Sequence, residues 1–180
     1  MRTILPANKN LALRKVAREI AVSEIESKRI QTIIAEMKKL LSKEEFGVAL
    51  AAPQVGESLR LFVVSGRALA RGGRNSPDEP EKRDDAPALA DQVYVNPELV
   101  KLSRSKSNKH EGCLSLRGFW GLVPRAEKAT IRAYDEKGAR FTRGASGFLA
   151  HIFQHEMDHL EGILYTDKAA KIYEEKREEK

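Results

Sequence analysis

The sequence predicts a single domain of the α+β class, and three observations carry that prediction. Apolar residues recur at helical spacing from Val22 to Leu41 and again around Phe148, Leu149, Ile152 and Phe153. Between these two helices lie stretches with strand character at Arg60 to Val64, Val93 to Asn96, Leu99 to Leu102 and Ala129 to Tyr134, the last with clear alternation. A chain of 180 residues with 41% hydrophobic residues is long enough to enclose one core.

Taken in order, the N-terminal helix rests on Ile25, Ile30, Ile33, Ile34, Met37, Leu40 and Leu41, which form most of one apolar stripe. The segment Gly47-Val48-Ala49-Leu50-Ala51-Ala52-Pro53-Gln54-Val55-Gly56 follows. Its small residues allow close backbone approach, and Pro53 fixes φ just ahead of an amide side chain. After the first strand, positions 66–92 are rich in glycine, proline, arginine and aspartate, with almost no large apolar residue. Such a segment cannot bury enough surface to offset its ordering entropy, so a mobile insertion is expected there. Gly144, Ser146 and Gly147 supply a start for the second helix. The mixed-charge run Tyr173 to Lys180 is expected to be a fraying C-terminal helix with its charges in solvent.

The second helix carries Gln154-His155-Glu156-Met157-Asp158-His159. Residues four apart stack on one helix face, so both imidazoles can reach one metal ion while the carboxylate lies about 100° round the cylinder. Two neutral ring nitrogens, an open coordination position and a nearby proton carrier are what metal-assisted hydrolysis requires. The apolar setting buries this helix, where polar rings without partners are costly. His151 continues the stripe one turn earlier. A rise of about 1.5 Å per residue puts it roughly 12 Å from His159, so His151 is assigned to the substrate pocket wall rather than to the metal. The third ligand has few candidates. Cys113, within His110-Glu111-Gly112-Cys113-Leu114-Ser115, is the one cysteine of the chain. It can form no internal disulfide, which suits a reducing cytosolic compartment, and it is either a small buried hydrophobe or a thiolate ligand. Gln54 can donate a hydrogen bond without titrating, a property suited to stabilising a developing oxyanion.

These three segments, ending in Ala51-Ala52-Pro53-Gln54, then Glu111-Gly112-Cys113-Leu114-Ser115, then His155-Glu156-Met157-Asp158-His159, occur in an order that resembles the peptide deformylase family. The resemblance runs from Leu13-Arg14-Lys15-Val16-Ala17 to Leu160-Glu161-Gly162 and includes Val123-Pro124-Arg125 with the following Ala126-Glu127-Lys128. It implies antiparallel sheets packed around a central motif helix, and removal of the N-formyl group from the initiator methionine of new polypeptides with release of formate. It implies Cys113, His155 and His159 as ligands of one divalent ion, Fe(II) by family habit, with nickel, cobalt or zinc as replacements in preparations. Glu156 would take a proton from water and pass it to the leaving amine, while the Gln54 amide and the backbone N–H of Leu114 would help to hold the former formyl oxygen. The substrate would meet Ala49, Gly112 and Trp120, and its first side chain would lie along the helix at Phe148, His151 and Ile152.

Three departures from the family pattern bear on substrate range rather than reaction type. Ala49 stands where a second glycine is common, Trp120 where many members have an arginine that contacts the substrate main chain, and His151 where an aliphatic residue often lines the methionine pocket. The formal charge of +6 suits a transient contact at the ribosome surface. No arginine-rich or aromatic-interleaved patch argues for specific nucleic-acid reading. No stretch approaches the length of a membrane span and the N-terminus lacks the apolar core of a signal peptide, so a cytoplasmic location without a membrane partner is expected. Two rival readings use the same helix. One is a zinc endopeptidase taking its third ligand from Glu161 or Asp167. The other is a deformylase-like module that binds N-terminal peptides without turnover.

Overall fold

The computed structural model describes residues 2–71 and 89–174. Three short 3-10 turns, at Ala7–Lys9, Leu11–Arg14 and Val22–Glu24, lead into helix α1, Lys28–Leu41. This helix starts later than its apolar stripe suggests because Ser27 caps it, the Ser27 hydroxyl accepting from the Ile30 N–H at 3.4 Å. The chain then forms β1 (Ala49–Ala51), a 3-10 turn at Ala52–Val55, β2 (Leu61–Val64), α2 (Gly66–Arg71), β3 (Gln92–Leu102), β4 (Lys106–Cys113) and β5 (Leu116–Ala126). It finishes with β6 (Lys128–Tyr134), β7 (Arg140–Ser146), α3 (Gly147–Leu160), α4 (Tyr165–Lys168) and β8 (Lys171–Glu174).

Among the described residues the strands make two antiparallel sheets, one of five strands ordered β1-β2-β3-β6-β7 and one of three ordered β4-β5-β8. The larger sheet is covered on both faces, which is why Leu61-Phe62-Val63-Val64 is apolar at every position rather than alternating. Leu61, Val63, Val93 and Val95 pack with Ile30, Ile33, Ile34 and Met37 of α1. Phe62, Val64, Tyr94, Ile131 and Ala133 pack with Leu149, Ala150, Ile152, Phe153 and Leu160 of α3. The motif helix is buried along nearly its whole length and touches β1, β3, β5, β6 and β7.

The structure corrects three expectations. The strands predicted at Val93 to Asn96 and Leu99 to Leu102 are one strand, β3, broken in register against β6 between Val95 and Glu98 and between Leu99 and Lys101. The ends of the insertion predicted over 66–92 are structured. Ala68 and Leu69 of α2 are buried, the Ser65 hydroxyl accepts from the Ala68 N–H, and Asp91 Oδ1 accepts from the Gly66 N–H. The composition of the whole segment hides those two apolar residues, and positions 72–88 lie outside the described residues. Finally, Tyr173 and Glu174 are not in a C-terminal helix. They belong to β8, which pairs with β5 so that Tyr173 faces Trp120 and Ile172 faces Gly121. Four paired residues of mixed character give no readable period. Positions 175–180 lie outside the described residues.

Candidate metal centre

Two elements deliver the donor atoms. His155 and His159 project from adjacent turns of α3, their rings 4.8 Å apart and nearly perpendicular. Cys113 ends β4, where the register with β5 slips between Glu111 and Cys113 and turns the thiol toward the helix. Cys113 Sγ lies 3.4 Å from His159 Nε2, and one donor atom from each of the three residues falls within 4.8 Å of the other two. Among the described residues this is the one such cluster. The donor chemistry fits a borderline transition metal. Burial raises the Cys113 thiol, but His159 and His155 outweigh it and hold the thiol well below its ordinary value, a shift toward the thiolate that metals bind. His155 Nδ1 is 2.8 Å from Glu111 Oε2, an interaction that leaves its Nε2 for a metal.

The neighbouring groups match hydrolytic chemistry. Glu156 is 3% exposed, and its Oε2 has no hydrogen-bond partner among the described residues. Burial pushes its carboxyl above the ordinary carboxylate range, a poise that suits a group required both to take and to return a proton. Gln54, on the Ala52–Val55 turn, is oriented by its Oε1 accepting from the Ala51 N–H at 2.8 Å. Its Nε2 therefore points at Cys113 Sγ, 3.4 Å away, with the Ser115 hydroxyl at 3.5 Å. Gly56 closes this turn in the left-handed region at φ 84, a conformation that costs glycine little.

The fold thus brings together Gln54, Cys113, His155, Glu156 and His159, with Leu114 next in the chain and half-buried. Gly112 and Trp120 also meet here, since a Cβ on Gly112 would sit 3.2 Å from the Trp120 ring. Ala49 lies in β1 on the approach to Gln54 and is almost fully buried. Phe148 and Ile152 pack with the core between α3 and the large sheet, Phe148 keeping some exposure. His151, assigned from spacing to the pocket wall, has a more specific partner. Its Nε2 is 2.9 Å from Glu111 Oε1, and its ring stands edge-on to Phe148.

The residues that support this cluster carry no signature of that role in the sequence. Glu111 and Arg125 are both buried, with Arg125 Nε and Nη2 donating to the two Glu111 oxygens at 2.6 and 3.0 Å. Arg125 Nη1 also donates to Asp158 Oδ2 at 2.7 Å, and Lys168 Nζ reaches Asp158 Oδ1 at 2.6 Å. Burial alone would raise the Glu111 carboxyl, but His151, His155 and Arg125 hold it far below the usual range. Tyr165 stacks on the His155 ring and donates its hydroxyl to the Phe119 carbonyl. Glu111 and Arg125 lie inside motif segments of the chain, but nothing in one sequence distinguishes a buried ion pair from an exposed one. The endopeptidase alternative loses its ligands: Glu161 pairs with Arg60 at 2.7 Å, while Asp167 pairs with Arg14 and accepts from the Leu164 N–H.

The comparisons with known proteins agree. The profile of the polypeptide deformylase family matches residues 1–175. A peptide deformylase of Desulforudis audaxviator is 36% identical over 164 residues, covering 91% of this chain and 91% of its own. The chloroplastic/mitochondrial peptide deformylase 1A of Arabidopsis thaliana is 40% identical over 156 residues, 87% of this chain and 57% of the plant protein. Among solved structures, a class I type b peptide deformylase from Acinetobacter baumannii bound to Met-Ala-Ser superposes with a TM-score of 0.75 at 32% identity, covering 93% of this chain and 99% of that one. A peptide deformylase from Legionella pneumophila gives 0.74 at 34%, covering 94% and 86%. The chain belongs to the polypeptide deformylase family, metal-dependent hydrolases that remove the N-formyl group from nascent polypeptides.

Proposed function

We propose that this chain deformylates N-formylmethionyl peptides with the residues gathered at Cys113, His155 and His159. The observation that carries the assignment is the convergence of these three donors beside the unpartnered Glu156 Oε2. Cys113 as thiolate, with His155 and His159 as neutral imidazoles, would hold one divalent ion, Fe(II) by resemblance to the family. Bound there, the ion supplies Lewis acidity toward the formyl oxygen and lowers the pKa of water toward about 7.

Glu156 accepts the proton of the attacking water at Oε2 and delivers it to the departing amine nitrogen. Gln54 Nε2 and the Leu114 N–H donate to the oxygen on which negative charge develops, and Gln54 needs no rearrangement because Ala51 already fixes its amide plane. Ala49, Gly112 and Trp120 flank the peptide main chain, while Phe148, Ile152 and the His151 ring border the methionine side chain. The Met-Ala-Ser ligand of the Acinetobacter relative supports a linear peptide beginning with methionine as the class of product.

Among the described residues no helix is long and apolar enough to cross a membrane. We further propose that the chain acts in the cytoplasm, at a transient contact with the ribosome that its formal charge of +6 would favour. The test is formate release from formyl-Met-Ala-Ser by anaerobically prepared protein, with elemental analysis of the same sample. Turnover with one iron or nickel per chain is expected. Tight peptide binding without turnover by fully loaded protein would instead make the chain a binding module.

A further inference from the structure

We propose that His151 is a positioning residue for the metal site: it holds the Glu111 carboxylate in the orientation that aims His155 at the ion. The proposal rests on the reading of His155 as a ligand. Glu111 is 2% exposed and has four nitrogens close to its two oxygens, three of them hydrogen-bonded to it. Oε1 takes Arg125 Nε at 2.6 Å and His151 Nε2 at 2.9 Å, and Oε2 takes Arg125 Nη2 at 3.0 Å and His155 Nδ1 at 2.8 Å. A carboxylate offers about four lone-pair sites; three take hydrogen bonds here, and His151 Nε2 makes a 2.9 Å polar contact with the same group.

The arrangement is paired. Arg125 enters from β5 and fixes one edge of the carboxylate with its planar fork. The other edge faces α3, where His151 and His155, one turn apart, each hold one oxygen. A tilt of the carboxylate that followed His155 alone would stretch the bond to His151, so the second imidazole opposes it. Because a carboxylate only accepts, the arrangement also sets the tautomers. His155 must carry its proton on Nδ1, which leaves its Nε2 lone pair directed at the metal, and the proposal requires the His151 proton on Nε2, the nitrogen 2.9 Å from Glu111 Oε1. An aliphatic side chain at position 151 has no donor and would leave one Oε1 lone pair bare in a buried site.

The test compares His151→Ile with His151→Gln, whose amide can donate to the same oxygen. Zinc affinity is measured by competition with a chromophoric chelator, and the His155 tautomer by nitrogen-15 NMR of the metal-free protein. His151→Ile should bind zinc roughly tenfold more weakly and show a mixed His155 tautomer, and His151→Gln should recover most of both. Wild-type affinity with an unchanged tautomer in His151→Ile, or a His151→Gln variant as weak as His151→Ile, overturns the proposal. If His151→Ile does not fold, the wild-type spectrum decides: a His151 ring protonated on Nε2 and slow to exchange supports the proposal, and one protonated on Nδ1 refutes it. Cys113→Ala is measured alongside. Unchanged zinc affinity there would overturn the ligand assignment itself, a result distinguishable from failure of the His151 effect.

Discussion

Gln54 and Glu156 show how much one side chain decides here. Gln54 uses both ends of its amide, Oε1 accepting from Ala51 and Nε2 facing the thiol. Gln54→Ala should therefore lower kcat/KM by roughly a hundredfold or more, about 3 kcal/mol of transition-state stabilisation, at unchanged metal content. It should also cost about 1–3 kcal/mol of stability through the orphaned Ala51 N–H, read from denaturant melts. Glu156 separates activity from stability in the opposite sense. Its carboxyl is raised by burial, so its favourable contribution is complete below the ordinary carboxyl value and is lost as pH rises through the raised one. Metal-free Glu156→Gln should accordingly be more stable than wild type near about pH 8 and no more stable near about pH 4, while turnover falls by about 10²- to 10⁴-fold. Both residues could be singled out as candidates in the sequence because an amide and a carboxylate stand at fixed spacings in its motif segments. Glu111 and Arg125 could not, because the value of a charged residue depends on which segment covers it.

At the scale of elements, legibility followed the location of apolar side chains. Strand β2 and helix α1 announce themselves because the faces they bury are lined with isoleucine, leucine and valine. Strands β4 and β7, Lys-Ser-Asn-Lys-His-Glu-Gly-Cys and Arg-Phe-Thr-Arg-Gly-Ala-Ser, alternate between exposed and half-buried positions and have almost no apolar face to read. Beyond the Gln154 amide bound to the Ala126 backbone, what fastens β4 and β5 to α3 is the ionic chain through Glu111, Arg125, Asp158 and Lys168. Its pH dependence follows from Glu111. A carboxyl held below its ordinary value contributes stability that is present above that value and is lost as pH falls beneath it. Metal-free wild type should thus lose stability steeply below about pH 4.3, and Glu111→Gln should flatten that limb. The same variant should be about 3–5 kcal/mol less stable at neutral pH, because Arg125 then keeps its buried charge with only Asp158 beside it. Chemical denaturation across pH measures both effects.

For the molecule as a whole, the donor set spans two layers that the sequence could not relate to each other. Cys113 belongs to the three-stranded sheet, and both histidines belong to a helix packed on the five-stranded sheet. A bound ion therefore fastens one sheet to the other at the mouth of the site. With ligand about a thousandfold above its dissociation constant, binding adds about 4 kcal/mol, and for a chain of this size that corresponds to about 10 °C in Tm. Removing the ion with a chelator should lower the melting temperature by that amount without abolishing the fold, since the cores on either face of β2 and β3 contain no ligand. The loss should also be uneven. Amides of Gly112, Cys113 and Leu114 should exchange through local opening in the metal-free protein, whereas those of Phe62, Val63 and Tyr94 should lose only the roughly 4 kcal/mol by which global stability falls. Hydrogen exchange resolved by residue, with and without chelator, checks this. A uniform loss across both sheets would mean that the ion stabilises one cooperative unit and that the ionic chain from Glu111 to Lys168 already joins the layers without it.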